Sequence, residues 1–155
     1  MRMTLSDIGR ELIIKREALR LKSYLDSAGV WTIGIGHTLG VRENMSITKE
    51  QAYELFKQDI EPVEDYLNYV NANIKRKFKQ HEFDALVSFI HQIGLTYFAK
   101  STCLRKIREG CTPKEIAKEF PRWCYITDRK TGKKVICDAV KNRHIDEKTQ
   151  YLTGY

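Results

Sequence analysis

Glu17 and Asp26 form an acidic pair whose setting suits chemistry. Hydrolysis of a glycosidic bond needs a proton for the leaving oxygen. It also needs a second carboxylate to oppose positive charge on the sugar, to activate water, or to attack. The two groups work only in unlike environments, so that one holds a proton while the other is ionised. Glu17 stands at the C-terminal end of a predicted helix, where the negative end of the helix dipole favours the neutral form. Burial against a neighbouring sheet would act in the same direction. Asp26 follows in a glycine-bounded turn, open to water, and is expected to stay ionised. Thr32 comes next, with a hydroxyl that could place a water beside Asp26. With Asp and Glu totalling 20, spacing alone does not single this pair out. A surface helix residue and a turn-forming aspartate would read the same way.

The elements that must position these groups are legible along the chain. Leu5, Ile8 and Leu12 recur at helical spacing, which predicts an amphipathic helix over 5–16 capped by Thr4 or Ser6. From Ser23 to Met45 glycines recur between Val30, Trp31, Thr32, Ile33 and Ile35, the pattern of short strands and tight turns in a small antiparallel sheet. Thr48 and Gln51 match a capping box, so a helix is expected from there to about Lys57. Pro62 lacks a donor amide and fits the first turn of a separate helix bearing Val63, Leu67, Val70 and Ile74. Phe83, Leu86, Val87, Ile90 and Ile93 mark a strongly apolar helix ended by Gly94. A short helix is expected from Ser101 or Thr102 to Ile107, and another from the Thr112-Pro113 capping box toward Phe120. Residues 126–136 read as a basic loop or hairpin, and a last helix as Asp138–Leu152. The fold class is α+β: a single domain over 1–155, with an N-terminal helix and small β-containing lobe over about 1–58 and a larger helical lobe over about 59–155, around a cleft.

Composition sets limits on function. The net charge of +7 draws polyanions in general, whether nucleic acid, anionic membranes or bacterial envelopes. The bases are dispersed, with denser groups at Lys75, Arg76, Lys77 and Lys79 and at Arg129, Lys130, Lys133 and Lys134. No aromatic-interleaved basic motif accompanies them, so nucleic acid is not an expected partner. Cys103, Cys111, Cys124 and Cys137 form no C-x-x-C pair and are read as reduced, mostly buried thiols of a protein made in a cytoplasm. Asp7, Arg10 and Glu11 interrupt the first apolar residues, so no secretory signal peptide and no stable membrane insertion are expected.

The run from Glu17 through Asp26 and Thr32 to His37 and Thr38 closely resembles the catalytic stretch of the phage lysozymes of glycoside hydrolase family 24, the lambdoid endolysins in particular. The resemblance continues at Met45–Ala52, Phe83–Phe89, Gly94, Phe98–Thr102, Arg122-Trp123 and Val135-Ile136. It implies a lysozyme-like fold and a muramidase that hydrolyses the β-1,4 bond between N-acetylmuramic acid and N-acetylglucosamine in bacterial peptidoglycan, for phage-mediated host lysis. By position, Glu17 would be the general acid, Asp26 the stabilising or water-activating carboxylate, and Thr32 the residue that orients water. Thr38, His91, Gln92 and Ser101 would line the substrate cleft. For Thr38 and Ser101 a local turn or cap hydrogen bond is the competing role, and for His91 and Gln92 a polar edge on a buried helix. His37 is expected to tie strands together. No metal or organic cofactor is implied, because both catalytic groups are side chains. A monomer is expected, made in the host cytoplasm and acting on the wall after release.

The sequence also departs from the family pattern. Ala18 stands where glycine is usual, so the backbone there is expected to avoid positive φ. Arg16 adjoins the acid, and a guanidinium there would oppose its neutral form unless it points away. His91-Gln92 replaces Phe-Asn, and Asp138-Ala139 replaces Gly-Leu. Two other readings remain open from sequence: a catalytically weak lysozyme-like module that binds cell wall or a protein, and a basic nucleic-acid binder.

Overall fold

The computed structural model describes residues 1–155. The first helix, α1 (Asp7–Glu17), is capped by Ser6, whose hydroxyl accepts from the Gly9 amide at 3.0 Å. Two strands follow, β1 (Arg20–Leu25) and β2 (Trp31–Gly34). They pair antiparallel, with Tyr24 opposite Thr32 and Leu25 opposite Trp31. The register is irregular between Arg20 and Tyr24. On the other edge of β1, the Ser23 amide donates to the Met45 carbonyl and the Leu21 carbonyl accepts from the Ile47 amide. This small sheet is the expected β lobe, although its first strand begins at Arg20 rather than Ser23.

The expected break near Lys57 does not occur. Helix α2 (Lys49–Ala72), opened by the Thr48/Gln51 capping box, runs through Pro62 uninterrupted. An interior proline loses one backbone bond and crowds the carbonyl four residues back, at a cost of about 3 kcal/mol. Phe56, Ile60, Val63, Leu67 and Val70 all lie on its buried face and enter one core. Each such burial contributes about 1.5–3 kcal/mol, so together they outweigh the proline. The helix passes unbroken from the β lobe into the helical lobe.

That core is built around α3 (Gln80–Ile93), in which every residue from Glu82 to Ile90 is buried. Gly94, at φ 92°, ends it. Three short helices follow: α4 (Leu95–Ala99), α5 (Thr102–Glu109) and α6 (Pro113–Ala117), the last started by the Thr112/Glu115 capping box. A 3-10 turn (Phe120–Arg122) then leads to a hairpin of β3 (Tyr125–Thr127) and β4 (Lys134–Ile136). Phe120 stacks flat on Phe89 with ring centroids 4.4 Å apart. The last helix, α7 (Asp138–Thr153), packs along α3. Buried Asp84 of α3 ties both ends of the chain to the core, accepting from the Ser6 amide and hydroxyl and from the Tyr155 hydroxyl. All four cysteines are unpaired, with Cys103 and Cys124 buried.

Candidate active site

Glu17 is the last residue of α1, and its side chain is only 13 % exposed. The chain must then reverse sharply into β1. It does so at Ala18, which adopts φ 60° and ψ 146°. The expectation that alanine would keep this backbone out of positive φ is therefore wrong. The Ala18 amide is held by the Ile14 carbonyl at 2.8 Å. The reversal is required to bring β1 back over the helix end, so the strain stays.

Asp26 sits in the turn between β1 and β2. Its Oδ1 accepts from the amides of Ala28 and Val30 at 2.9 and 2.8 Å. Those two bonds fix the carboxylate plane and leave Oδ2 without a partner in the protein. Thr32 is buried on β2, and its hydroxyl donates to the Val30 carbonyl at 2.9 Å. With its hydrogen so committed, the hydroxyl can only accept from a further molecule.

Glu17, Asp26 and Thr32 line a single cleft of about 570 Å³, together with Thr38, His91 and Gln92. The β lobe supplies one wall, including Arg20, Tyr24 and Gly36, and the other comes from α3 and from Ala139, Val140 and Arg143 of α7. Ile126 of the hairpin closes one side, and the hairpin's Arg129 crosses to the turn that carries Asp26, donating to the Ala28 carbonyl at 3.1 Å.

Ser101 is not in the cleft. Its hydroxyl caps α5, accepting from Leu104 at 3.1 Å and donating to the Phe98 carbonyl at 2.7 Å. The cap role, open in the sequence, is the one the fold uses. His91 lies with Nε2 3.0 Å from the Ile35 carbonyl and 3.9 Å from Glu17. His37 bridges Asp59 of α2 and the Leu39 carbonyl at 2.8 and 2.9 Å, which anchors the β lobe to the long helix.

Arg16 resolves its conflict by geometry. Its guanidinium turns away from Glu17 toward α7 and donates to Asp146 Oδ2 at 2.7 and 3.0 Å and to Gln150 at 2.8 Å. The guanidinium that does meet Glu17 is that of Arg143, from the far end of the chain. Burial works against the Arg143 charge, but Glu147 and then Glu17 more than compensate and raise its pKa further. Burial also pushes the Glu147 carboxyl up, yet Arg143, His144 and Ser88 together hold it below the usual carboxylate range. Tyr24 is raised by burial and by the Glu17 charge, while Arg20, 4.4 Å over its ring, opposes the shift.

Sequence reading missed Arg143, Arg20, Tyr24 and Gly36. The available signal for Arg143 was its spacing: Val140, Arg143, Glu147 and Tyr151 fall on one face of a helix, and a charged pair on a face that also carries apolar residues points inward.

Known proteins place this geometry in a family. Residues 14–147 match the model of the family described as phage lysozyme. The chain is 40 % identical over 121 residues to an endolysin of Acyrthosiphon pisum secondary endosymbiont phage 1, a span of 78 % of this chain and 80 % of that one. Among solved structures it superposes on an endolysin from Escherichia coli O157:H7 phage FAHEc1 with a TM-score of 0.81 and 36 % identity, covering 100 % of this chain and 97 % of that one. The muramidase domain of SpmX from Asticaccaulis excentricus gives a TM-score of 0.79 at 34 % identity, over 98 % and 99 % of the two chains. The match spans the cleft walls and both lobes, and the chain belongs to the phage lysozyme family.

Proposed function

We propose that this cleft hydrolyses the β-1,4 bond between N-acetylmuramic acid and N-acetylglucosamine in bacterial peptidoglycan, with Glu17 as the general acid. The observation that carries the assignment is the placement of Glu17, Asp26 and Thr32 in one cleft with unlike surroundings. Glu17 is largely enclosed at a helix end, whereas Asp26 sits in a polar turn. Glu17 donates its proton to the leaving glycosidic oxygen as the bond to the sugar carbon breaks. Asp26, oriented by two amides through Oδ1, presents Oδ2 to the developing positive charge or to the incoming water. Thr32 accepts a hydrogen bond from that water and so fixes its direction. Thr38, His91 and Gln92 contact the sugar chain. No helix is long and apolar enough to cross a membrane.

The test is Glu17→Gln, an isosteric change that removes the proton. It should fold as the parent does and lose clearing of purified cell walls, with no new reducing ends. Parent-like release of reducing ends from that variant would overturn the assignment. Tight co-sedimentation with walls in the parent, without turnover, would favour a binding module instead.

A further inference from the structure

A general acid must start its cycle protonated, yet Glu17 is ion-paired with Arg143. A guanidinium with no other counter-charge would hold its partner as a carboxylate. Arg143 does have another. Its Nε donates to Glu147 Oε2 at 3.2 Å. Nη1 serves Glu17 and, at 3.0 Å, the Gln92 side-chain carbonyl. Nη2 serves the Ser88 carbonyl at 3.0 Å and its hydroxyl at 3.5 Å. All of the donors of the guanidinium are engaged, so its position is fixed from three sides.

The two carboxylates on Arg143 are not equivalent. Glu147 is 0 % exposed and Glu17 13 %. Glu147 also takes hydrogen bonds from the Ser88 hydroxyl and pairs with His144 Nδ1. A carboxylate with so many donors and no access to water has no cheap way to become neutral.

Resting on the reading of Glu17 as the acid, we propose that Glu147 is a positioning residue for catalysis: it is the buried counter-ion of Arg143, and its charge leaves Glu17 free to take up the proton while the guanidinium fixes where Glu17 points. The other groups that face Glu17 are His91 of α3, Tyr24 and Arg20 of β1, Asp26 of the following turn, and its neighbour Arg16, which is committed to Asp146. Only α7 supplies a charge pair directed at Glu17 from inside the protein.

The experiment is the pH dependence of kcat and KM on soluble peptidoglycan fragments for the parent, E147Q, E147D and the double variant R143Q/E147Q. Removing the buried charge leaves the Arg143 charge facing Glu17. The alkaline limb, where the acid loses its proton, should move toward acid by about one pH unit. At neutral pH kcat should fall about tenfold with KM unchanged, since one unit is a factor of ten in protonated acid. E147D keeps the charge and should keep the parent limb. A parent limb in folded E147Q, whatever its stability, overturns the proposal and leaves Glu147 structural. Should E147Q not fold, the double variant, with neither charge buried, takes its place. Its limb should stay within about one unit of the parent, and a larger shift toward alkaline means that Glu147 does not offset Arg143. Failure of the underlying reading looks different: Glu17→Gln would keep its turnover in the same assay.

Discussion

Gly36 lies directly against the carboxyl group of Glu17. A Cβ at residue 36 would fall 2.7 Å from Glu17 Cδ and 3.0 Å from His91 Nε2, and the backbone there is at φ 71°. The glycine thus forms the wall that the acid rests on. Gly36→Ala should drive Glu17 off its position. A displacement of the order of 1 Å in a reacting group costs about a hundredfold in rate. Wall-clearing rate per folded molecule measures this, with circular dichroism as the control for folding. Activity within a factor of three of the parent would show that Glu17 has another place to go.

Ala18 holds a backbone conformation that glycine adopts freely, at φ 60°. A residue held in such a region stores about 1–3 kcal/mol. Ala18→Gly relieves that strain but adds freedom to the unfolded chain, a cost of up to about 1 kcal/mol. The net expectation is a gain of about 1 kcal/mol, or about 2–4 °C in Tm for a domain of this size. Calorimetry on the parent and the variant checks it, and a lower Tm would mean that alanine is not strained there.

Ser101 caps α5 and lies outside the cleft that holds Glu17. Ser101→Ala should cost about 1 kcal/mol of stability. Urea denaturation reads this directly. KM for peptidoglycan fragments should not change, and a raised KM would return Ser101 to the binding surface.

Acid should weaken the fold through Glu147. Its folded pKa lies below the usual carboxylate value, because Arg143, His144 and Ser88 outweigh the opposing effect of burial. The sign follows from linkage: a depressed carboxylate contributes its full stabilisation above the unfolded pKa and loses it as pH falls through the folded one. The unfolding free energy of the parent should therefore decline steeply below about pH 4. In E147D, where the contacts are shorter in reach, the decline should begin from a lower plateau. Equal slopes in parent and E147Q would remove Glu147 from the account.

Base acts at the other end of the chain. Burial, with the Asp84 hydrogen bond, pushes the Tyr155 hydroxyl up to about 12. A raised phenol stabilises the fold below the unfolded value near 10 and loses that contribution as pH rises through about 12. Tyr155→Phe should lack this alkaline decline, which thermal melts across that range would reveal.

The stretch from Glu17 to Thr38 determined by itself that Glu17 ends a helix and that Asp26 and Thr32 follow in a turn and a strand, because a short helix end and a hairpin have local geometry. Capping boxes at Thr48 and Thr112 and the glycine stop at Gly94 were readable for the same reason, since each is satisfied within a turn or two. The helix through Pro62 was not readable. Its continuity depends on a core assembled from distant elements, and local preference argued the other way. The same holds for the charge beside the acid. Sequence proximity pointed to Arg16, but folding turned Arg16 toward Asp146 and brought Arg143 across from α7. Ala18 shows the limit most directly: the residue type argued against positive φ, and the need to bring β1 back across α1 overrode it. Local signals placed Glu17, Asp26 and Thr32 on a helix end and a hairpin, and long-range packing decided that the guanidinium of Arg143, not that of Arg16, sits beside Glu17.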